Sequence, residues 1–346
     1  ENSWYKIIRF YVKIGLFFTL KKITVFGKEN IPKKGAVLFV GNHQNALIDA
    51  ILIPTTNNRN IHFLTRASAF KNKLANKLLR SLNMIPVYRL RDGKQSMLKN
   101  IQVFEQCFEF LKNEKAVEIF AEGEHHLLRR IIPLKKGFAR IILGTLQKYP
   151  DLEIQIVPVG INYDKHLEYP CSTSIYYGAP IRANDFFNIE NPDYTFKDII
   201  KEVKNSLEEL TLHIEDTKNY DEILSKLEAV KVDYLNPIKA NKIVETINNQ
   251  TLPFSKDSIN WFQPLHFLAK LNSVFPLLIW YYLKPKIKDK IFTNTFRFAL
   301  ITTIFPLFYL IQSFIIYVFF NLNYALLYVS TCIILGIIST KTMRVS

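Results

Sequence analysis

The sequence predicts an α/β domain joined to an α-helical C-terminal membrane region, on two observations. Between Gly27 and about Ile181 short apolar runs alternate with helix-like stretches, as in strands and helices packed in layers. From Phe298 to Thr340 no residue carries a formal charge, a stretch bounded by Arg297 and Lys341 and long enough for two passes through a bilayer. At 346 residues the chain has room for one large domain and an appendage. Its net charge of +15 suits an anionic membrane surface or a nucleic acid. The uncharged tail favours the membrane, and no basic, aromatic-studded repeat supports a nucleic-acid partner. Cys107, Cys171 and Cys332 are odd in number and far apart, which argues for reduced thiols and a soluble part facing the cytosol.

Residues 1–22 mix apolar side chains with Lys6, Arg9, Lys13, Lys21 and Lys22, the composition of an interfacial amphipathic helix. An uninterrupted apolar stretch with a small-residue cleavage site, as in a secretory signal, is not present there. Strands are expected at Ala36–Val40, Ile61–Thr65, Met84–Val87, Ala116–Phe120, Ile154–Val159 and Ser174–Tyr177. Over Gln95–Leu111, three- and four-residue steps place Leu98, Ile101, Phe104, Phe108 and Leu111 on one buried helix face. The main domain is expected over 23–215 and a helical connector over 216–265. The membrane region over 266–346 begins with Leu271–Leu283, too short to span and so interfacial or re-entrant. A hairpin follows, with limbs Phe298–Phe320 and Tyr324–Thr340 turning at Asn321-Leu322-Asn323. Lys284, Lys286, Lys288, Lys290 and Arg297 precede it and Lys341 and Arg344 follow, so both basic ends lie on one side, which the positive-inside bias makes cytoplasmic. The expected location is the plasma (inner) membrane.

Two strand ends carry the residues suited to chemistry. Gly41-Asn42-His43-Gln44-Asn45-Ala46-Leu47-Ile48-Asp49 follows one strand. Histidine titrates near neutrality, and a carboxylate accepting from one ring nitrogen fixes the tautomer that leaves the other free to take a proton. His43 and Asp49 form that pair if the loop between them turns back. Phe120-Ala121-Glu122-Gly123-Glu124-His125-His126 ends another strand, where clefts form in α/β sheets. Glu122 is expected to bring a carboxylate, and Gly123 an open backbone, to the hydroxyls of an acceptor. His125 and His126 have no Cys or His spacing of a metal site around them, so no metal is expected. No G-x-S-x-G elbow and no G-x-x-x-x-G-K-[ST] loop occurs, which argues against a nucleophilic serine of that kind and against a phosphate-binding loop.

Over roughly Phe26 to Ile181 these stretches, in this order, resemble the glycerolipid acyltransferase family of glycerol-3-phosphate and 1-acylglycerol-3-phosphate acyltransferases. In that family Asn-His, four residues and Asp follow a strand, and Phe-Pro-Glu-Gly-Thr comes later. Here five residues separate His43 from Asp49, as in the fungal-type glycerol-3-phosphate/dihydroxyacetone-phosphate enzymes, and Ala121 and Glu124-His125 replace the proline and a common Thr-Arg pair. The resemblance implies an acyltransferase domain with a mixed central sheet flanked by helices, and His43 and Asp49 as catalytic residues. It further implies substrate contacts from Asn42, Glu122 and Gly123, with Arg89 first and Arg91 second in the Ile85–Arg91 block for an anionic acceptor. Arg66 stands where the family often has lysine, and Pro158 in the Ile156–Gly160 block is expected to shape the donor wall.

The reaction so implied moves a fatty acyl group from a thioester, acyl-CoA or acyl-carrier protein, to a hydroxyl of glycerol-3-phosphate or lysophosphatidic acid. It needs no cofactor. The implied partners are an anionic lipid or lipid precursor, the acyl thioester, the bilayer and possible membrane proteins. O-acylation of a glycine- or ornithine-type lipid and a non-catalytic membrane subunit are the alternatives.

Overall fold

The computed structural model describes residues 3–89, 93, 98–188, 191–247 and 261–343. Helix α1 (Ser3–Thr19) runs directly into strand β1 (Leu20–Phe26). Then follow β2 (Ala36–Gly41), α2 (Ala46–Thr56), β3 (Ile61–Arg66), α3 (Lys73–Ser81), β4 (Met84–Val87), α4 (Asn100–Lys112), β5 (Ala116–Phe120), α5 (Gly137–Lys148), β6 (Ile154–Tyr163), β7 (Cys171–Tyr177), β8 (Ile181–Arg182) and α6 (Pro192–Leu210). The sheet order is β1-β7-β6-β2-β5-β3-β4, with β8 pairing β6. β2 pairs parallel with β5 and β6, β3 with β4 and β5, and β1 with β7, whereas β7 and β8 run antiparallel to β6. The sheet is mixed, as expected.

Alternation along the strands divides the core into two layers. Leu38, Val40, Val117, Ile154 and Ile156 face one way and pack with Leu111 of α4, Ile141 of α5 and Val203 of α6. Val37, Phe39, Val157, Val159 and Ile161 face the other way and pack with Leu16 of α1 and Ile48 and Leu52 of α2. The expected strands are all present, four of them longer than read. β1 was missed: Lys21 and Lys22 resemble a helix tail, yet the β-branched Ile23, Thr24 and Val25 follow and pair with β7. The helix thus ends at Thr19, short of 22.

α4 departs from its expected face. Val103, Cys107 and Leu111 are buried, but Leu98 and Ile101 are more than half exposed. Asn100 sets the rotation: its side chain accepts from the Tyr88 amide (2.9 Å) and donates to the Tyr88 carbonyl (2.8 Å), so this polar residue points inward at the end of β4. Residues 95–97 of that expected helix lie outside the described residues.

Helices α7 (Tyr220–Ala229) and α8 (Pro237–Thr246) occupy much of the expected connector. They close a small core of their own around Leu212, Ile214, Ile223 and Leu227. This unit docks on the sheet, where Ser174 Oγ and Tyr176 OH donate to the Leu235 carbonyl.

The C-terminal region comprises α9 (Gln263–Asn272), α10 (Val274–Leu283), α11 (Thr293–Thr302), α12 (Ile304–Phe319) and α13 (Leu322–Thr342). Lys290–Phe319 and Leu322–Thr342 are long and apolar enough to cross a membrane, with little of either buried inside the protein. α12 and α13 pack as the two limbs of a hairpin. The first limb differs from the expected Phe298–Phe320, because the chain breaks at Thr303 and residues 298–302 belong to α11. Pro306 supplies no amide to the Thr302 carbonyl and its ring crowds that position, which ends α11. Pro276 stands in the same relation to Asn272 between α9 and α10. α11 is part of the soluble domain's packing: Phe298 is buried with Leu16 and Leu20, and Tyr11 OH donates to the Thr302 carbonyl. α1 therefore covers the α2 layer with one face while Trp4, Ile7, Phe10, Ile14 and Phe17 point outward.

Candidate active site

The C-terminal ends of β2 and β5 are neighbours, with Gly41 opposite Phe120, so the loops after them meet. The loop after β2 turns back at Ala46, whose φ of 39° lies in the left-handed region. That turn accommodates the five residues between His43 and Asp49 and brings Asp49 Oδ2 to 2.9 Å from His43 Nδ1. The same oxygen accepts from the Gln44 amide (2.8 Å) and the Asn45 amide (2.6 Å). Asp49 Oδ1 accepts from Tyr163 OH at 2.6 Å. The carboxylate is wholly buried with both oxygens bonded, whereas the His43 side chain keeps 13% exposure. Nδ1–H is held, and Nε2 has no hydrogen-bond partner among the described residues. The His43 ring lies flat on Phe120, centroids 4.2 Å apart, and this second contact fixes its plane.

Glu122 is placed differently from the expectation. It is fully buried. Oε2 accepts from the His43 amide (2.7 Å), and Oε1 from the Ile132 amide (3.2 Å) with His126 Nε2 at 2.9 Å. Both oxygens are spent inside the protein, so Glu122 braces the His43 loop and does not face an acceptor. Asn42 is also buried and structural: Nδ2 donates to the Ile161 carbonyl (3.0 Å) and Oδ1 accepts from the Ile161 amide (2.7 Å), tying the loop to β6. Pro158 pairs with Val40 inside the sheet, in a strand whose flanking Val157 and Val159 face the α2 layer. Its ring therefore points to the opposite layer, away from the Asp49 helix, and forms no wall beside His43. Gly123 has φ +71°, and a Cβ there would meet Lys135 Cγ at 2.9 Å, so the turn after β5 needs glycine.

The basic side chains expected to bind an anion rim the same edge. Arg66 ends β3, exposed, with its guanidinium 5.7 Å from the Phe292 ring. That ring meets His125 edge-on at 5.1 Å, and His125 lies 5.6 Å from the His43 ring. Arg89 follows β4 and is near enough to help lower the His125 pKa. Burial is the largest cause of that depression, the neighbouring His43 adds to it, and Asp289, 3.3 Å from His125 Nε2, opposes it. Arg91 lies outside the described residues.

Several contributors were not read from the sequence. Tyr163, His126 and the pair Gln44–His166 all support the His43 loop. His166, pushed well below the usual imidazole value by burial and then by Arg129, stays neutral and donates Nε2–H to Gln44 Oε1 at 2.9 Å. The C-terminal region adds Asn294, which donates to the His166 carbonyl at 2.5 Å, and Thr295, whose hydroxyl accepts from the Leu47 amide at 3.4 Å. Gln44 and His126 lie within the recognised segments and Tyr163 just beyond the Pro158 block, whereas His166, Asn294 and Thr295 lie far along the chain from the loop they support.

An imidazole with one nitrogen fixed by a buried carboxylate and the other accessible is suited to take a proton from a bound hydroxyl. Residues 22–162 match the family model described as Acyltransferase, a span that contains His43, Asp49 and Glu122. This segment is an acyltransferase-family domain. Its relatives are glycerol-3-phosphate and 1-acylglycerol-3-phosphate acyltransferases. The acyltransferase domain is 29% identical over 119 residues to glycerol-3-phosphate O-acyltransferase 1 of Saccharomyces cerevisiae, a match covering 33% of this chain and 16% of the yeast protein. The chain thus spans only a small part of that relative's length. A 1-acyl-sn-glycerol-3-phosphate acyltransferase of Borreliella burgdorferi is 26% identical over 228 residues, covering 65% of this chain and 80% of that one. The crystal structure of the 1-acyl-sn-glycerophosphate acyltransferase of Thermotoga maritima aligns over 58% of this chain and 78% of that one, with a TM-score of 0.42 and 23% identity.

Proposed function

We propose that the protein is a membrane-bound O-acyltransferase that moves a fatty acyl group from a thioester to a hydroxyl of glycerol-3-phosphate or of its 1-acyl derivative. The observation that carries this reading is the His43–Asp49 pair, one ring nitrogen held at 2.9 Å by a fully buried carboxylate and the other open to a ligand.

His43 Nε2 takes the proton of the acceptor hydroxyl as its oxygen attacks the thioester carbonyl. Asp49 keeps Nδ1–H in place and stabilises the imidazolium that forms. The tetrahedral intermediate collapses with cleavage of the C–S bond, and the thiolate recovers the proton from His43. General-base help of this kind supplies about 10²–10⁴-fold. Arg66 and Arg89, on the strand ends beside His43, suit an acceptor phosphate, for which a planar guanidinium offers paired donors. The acyl donor is acyl-CoA or acyl-carrier protein. With the α12–α13 hairpin in the bilayer, and basic residues flanking it, the catalytic domain lies on the cytoplasmic side of the membrane.

The test is thiol release from a long-chain acyl thioester by the purified full chain, with and without each acceptor. Release that depends on glycerol-3-phosphate or lysophosphatidic acid and yields the acylated product is expected. Acceptor-independent release, or none with either acceptor, would overturn the reading.

A further inference from the structure

A groove of about 690 Å³ opens between the hairpin, α10, α11 and the edge of the acyltransferase domain. Its size falls in the ~300–1,000 Å³ range of ligand sites. Leu277, Phe305 and Ile333 form apolar walls, while Lys270, Lys284 and Arg297 bring positive charge. Phe305 and Ile333 belong to the two membrane-crossing segments, so the groove is bordered by surface that faces lipid.

Arg297 is the feature that asks for a ligand. It stands on α11, just before the break at Thr303 where the first limb of the hairpin begins. Its Nη1 donates to Asn294 Oδ1 at 2.5 Å and to the Glu168 carbonyl at 3.3 Å, and its guanidinium lies 4.8 Å from the Trp280 ring and 5.2 Å from that of Tyr169. All of these partners are neutral. Among the described residues no carboxylate lies within ion-pairing distance of it. Glu168 also lines the groove, but its carboxylate is engaged by Lys165 at 3.0 Å. A guanidinium set among apolar and aromatic side chains at the foot of the hairpin is costly unless a counter-charge meets it. The aromatic faces and dipoles here only partly offset that cost, and the remaining charge of the groove is positive.

We propose that this groove binds an anionic membrane phospholipid, its headgroup phosphate paired with Arg297 and an acyl chain lying along Leu277, Phe305 and Ile333. A lipid fits better than a soluble anion because the walls beside the guanidinium are apolar and open toward the bilayer. Lys270 and Lys284 add long-range attraction for the same headgroup.

The experiment is native mass spectrometry of the full chain released from detergent micelles doped with equal amounts of phosphatidylglycerol and phosphatidylcholine of matched chain length. The wild type is expected to retain phosphatidylglycerol over phosphatidylcholine by about tenfold. Arg297→Gln should abolish the preference, and Arg297→Lys should keep part of it. Ile333→Trp, which fills the apolar wall and leaves the guanidinium in place, should lower retention of both lipids; it decides the matter should Arg297→Gln fail to fold. Equal retention of the two lipids by the wild type, undiminished preference in Arg297→Gln, or displacement of the lipid by inorganic phosphate alone would overturn the proposal. The readout is binding and not turnover, so it is independent of the acyl-transfer reading.

Discussion

Asp49 takes hydrogen bonds from His43, two backbone amides and Tyr163, and no part of it reaches solvent. It can therefore act only through the imidazole. Asp49→Asn removes the fixed acceptor and puts an amide against Nδ1, which favours the wrong tautomer. Transfer should fall by about 10²–10⁴-fold, with a far-UV spectrum like the wild type's; a loss below threefold would remove Asp49 from the mechanism. The pair was legible in the sequence because its partners are six residues apart at a strand end. The roles of Glu122, Asn42 and Pro158 were not, because they depend on contacts 79 to 119 residues away and on which face of a strand each side chain takes. A carboxylate next to a glycine looks the same in sequence whether it faces a ligand or braces a loop.

At the scale of elements, strand positions were readable from apolar runs, while β1 was hidden behind paired lysines and the hairpin's first limb was read through a proline break. Both errors arise where a short-range composition signal competes with a long-range one, the β7 pairing in one case and the packing of α11 on α1 in the other. Helix α6 lies so close to β6 that a Cβ on Gly160 would come within 2.2 Å of the Leu210 carbonyl oxygen. Backbone cannot yield there as a flexible side chain would. Gly160→Ala should therefore destabilise the domain by about 1–3 kcal/mol through overpacking, read as a lowered urea midpoint with an unchanged m-value. An unaltered midpoint would mean that α6 is free to shift.

For the molecule as a whole, two buried titratable groups shape stability against pH. Glu118, on β5 between Phe39 and Phe63, is fully buried with neither oxygen hydrogen-bonded among the described residues. Burial, then the nearby Asp49, holds its carboxyl well above the ordinary range, so the folded state keeps a proton that the unfolded chain releases above about pH 4.3. Stability from this group falls as pH rises. His62 opposes it at lower pH: burial and then Lys115 push its pKa down to about 4, so stability is lost as pH falls from about 6.5 toward that value. Between about pH 7.5 and 8.5 His62 is neutral in both states, so its contribution is constant while that of Glu118 still falls. Glu118→Gln should flatten the decline of the thermal midpoint over that interval; an identical slope in wild type and variant would show that Glu118 is ionised when folded. The C-terminal region is equally part of the whole, since Asn294, Thr295 and Phe292 reach the loops around His43. None of this was visible in the sequence, where the hairpin reads only as an anchor.

The central claim is that the exposed nitrogen of His43 removes the acceptor's proton. The most direct measurement compares acyl transfer by the wild type and by His43→Ala, each purified as the full chain and each checked for membrane fractionation and thermal midpoint. The account predicts at least about a 10²-fold loss of transfer in a variant that still folds and still partitions into membranes. Transfer within a few-fold of the wild type by that folded variant would contradict it.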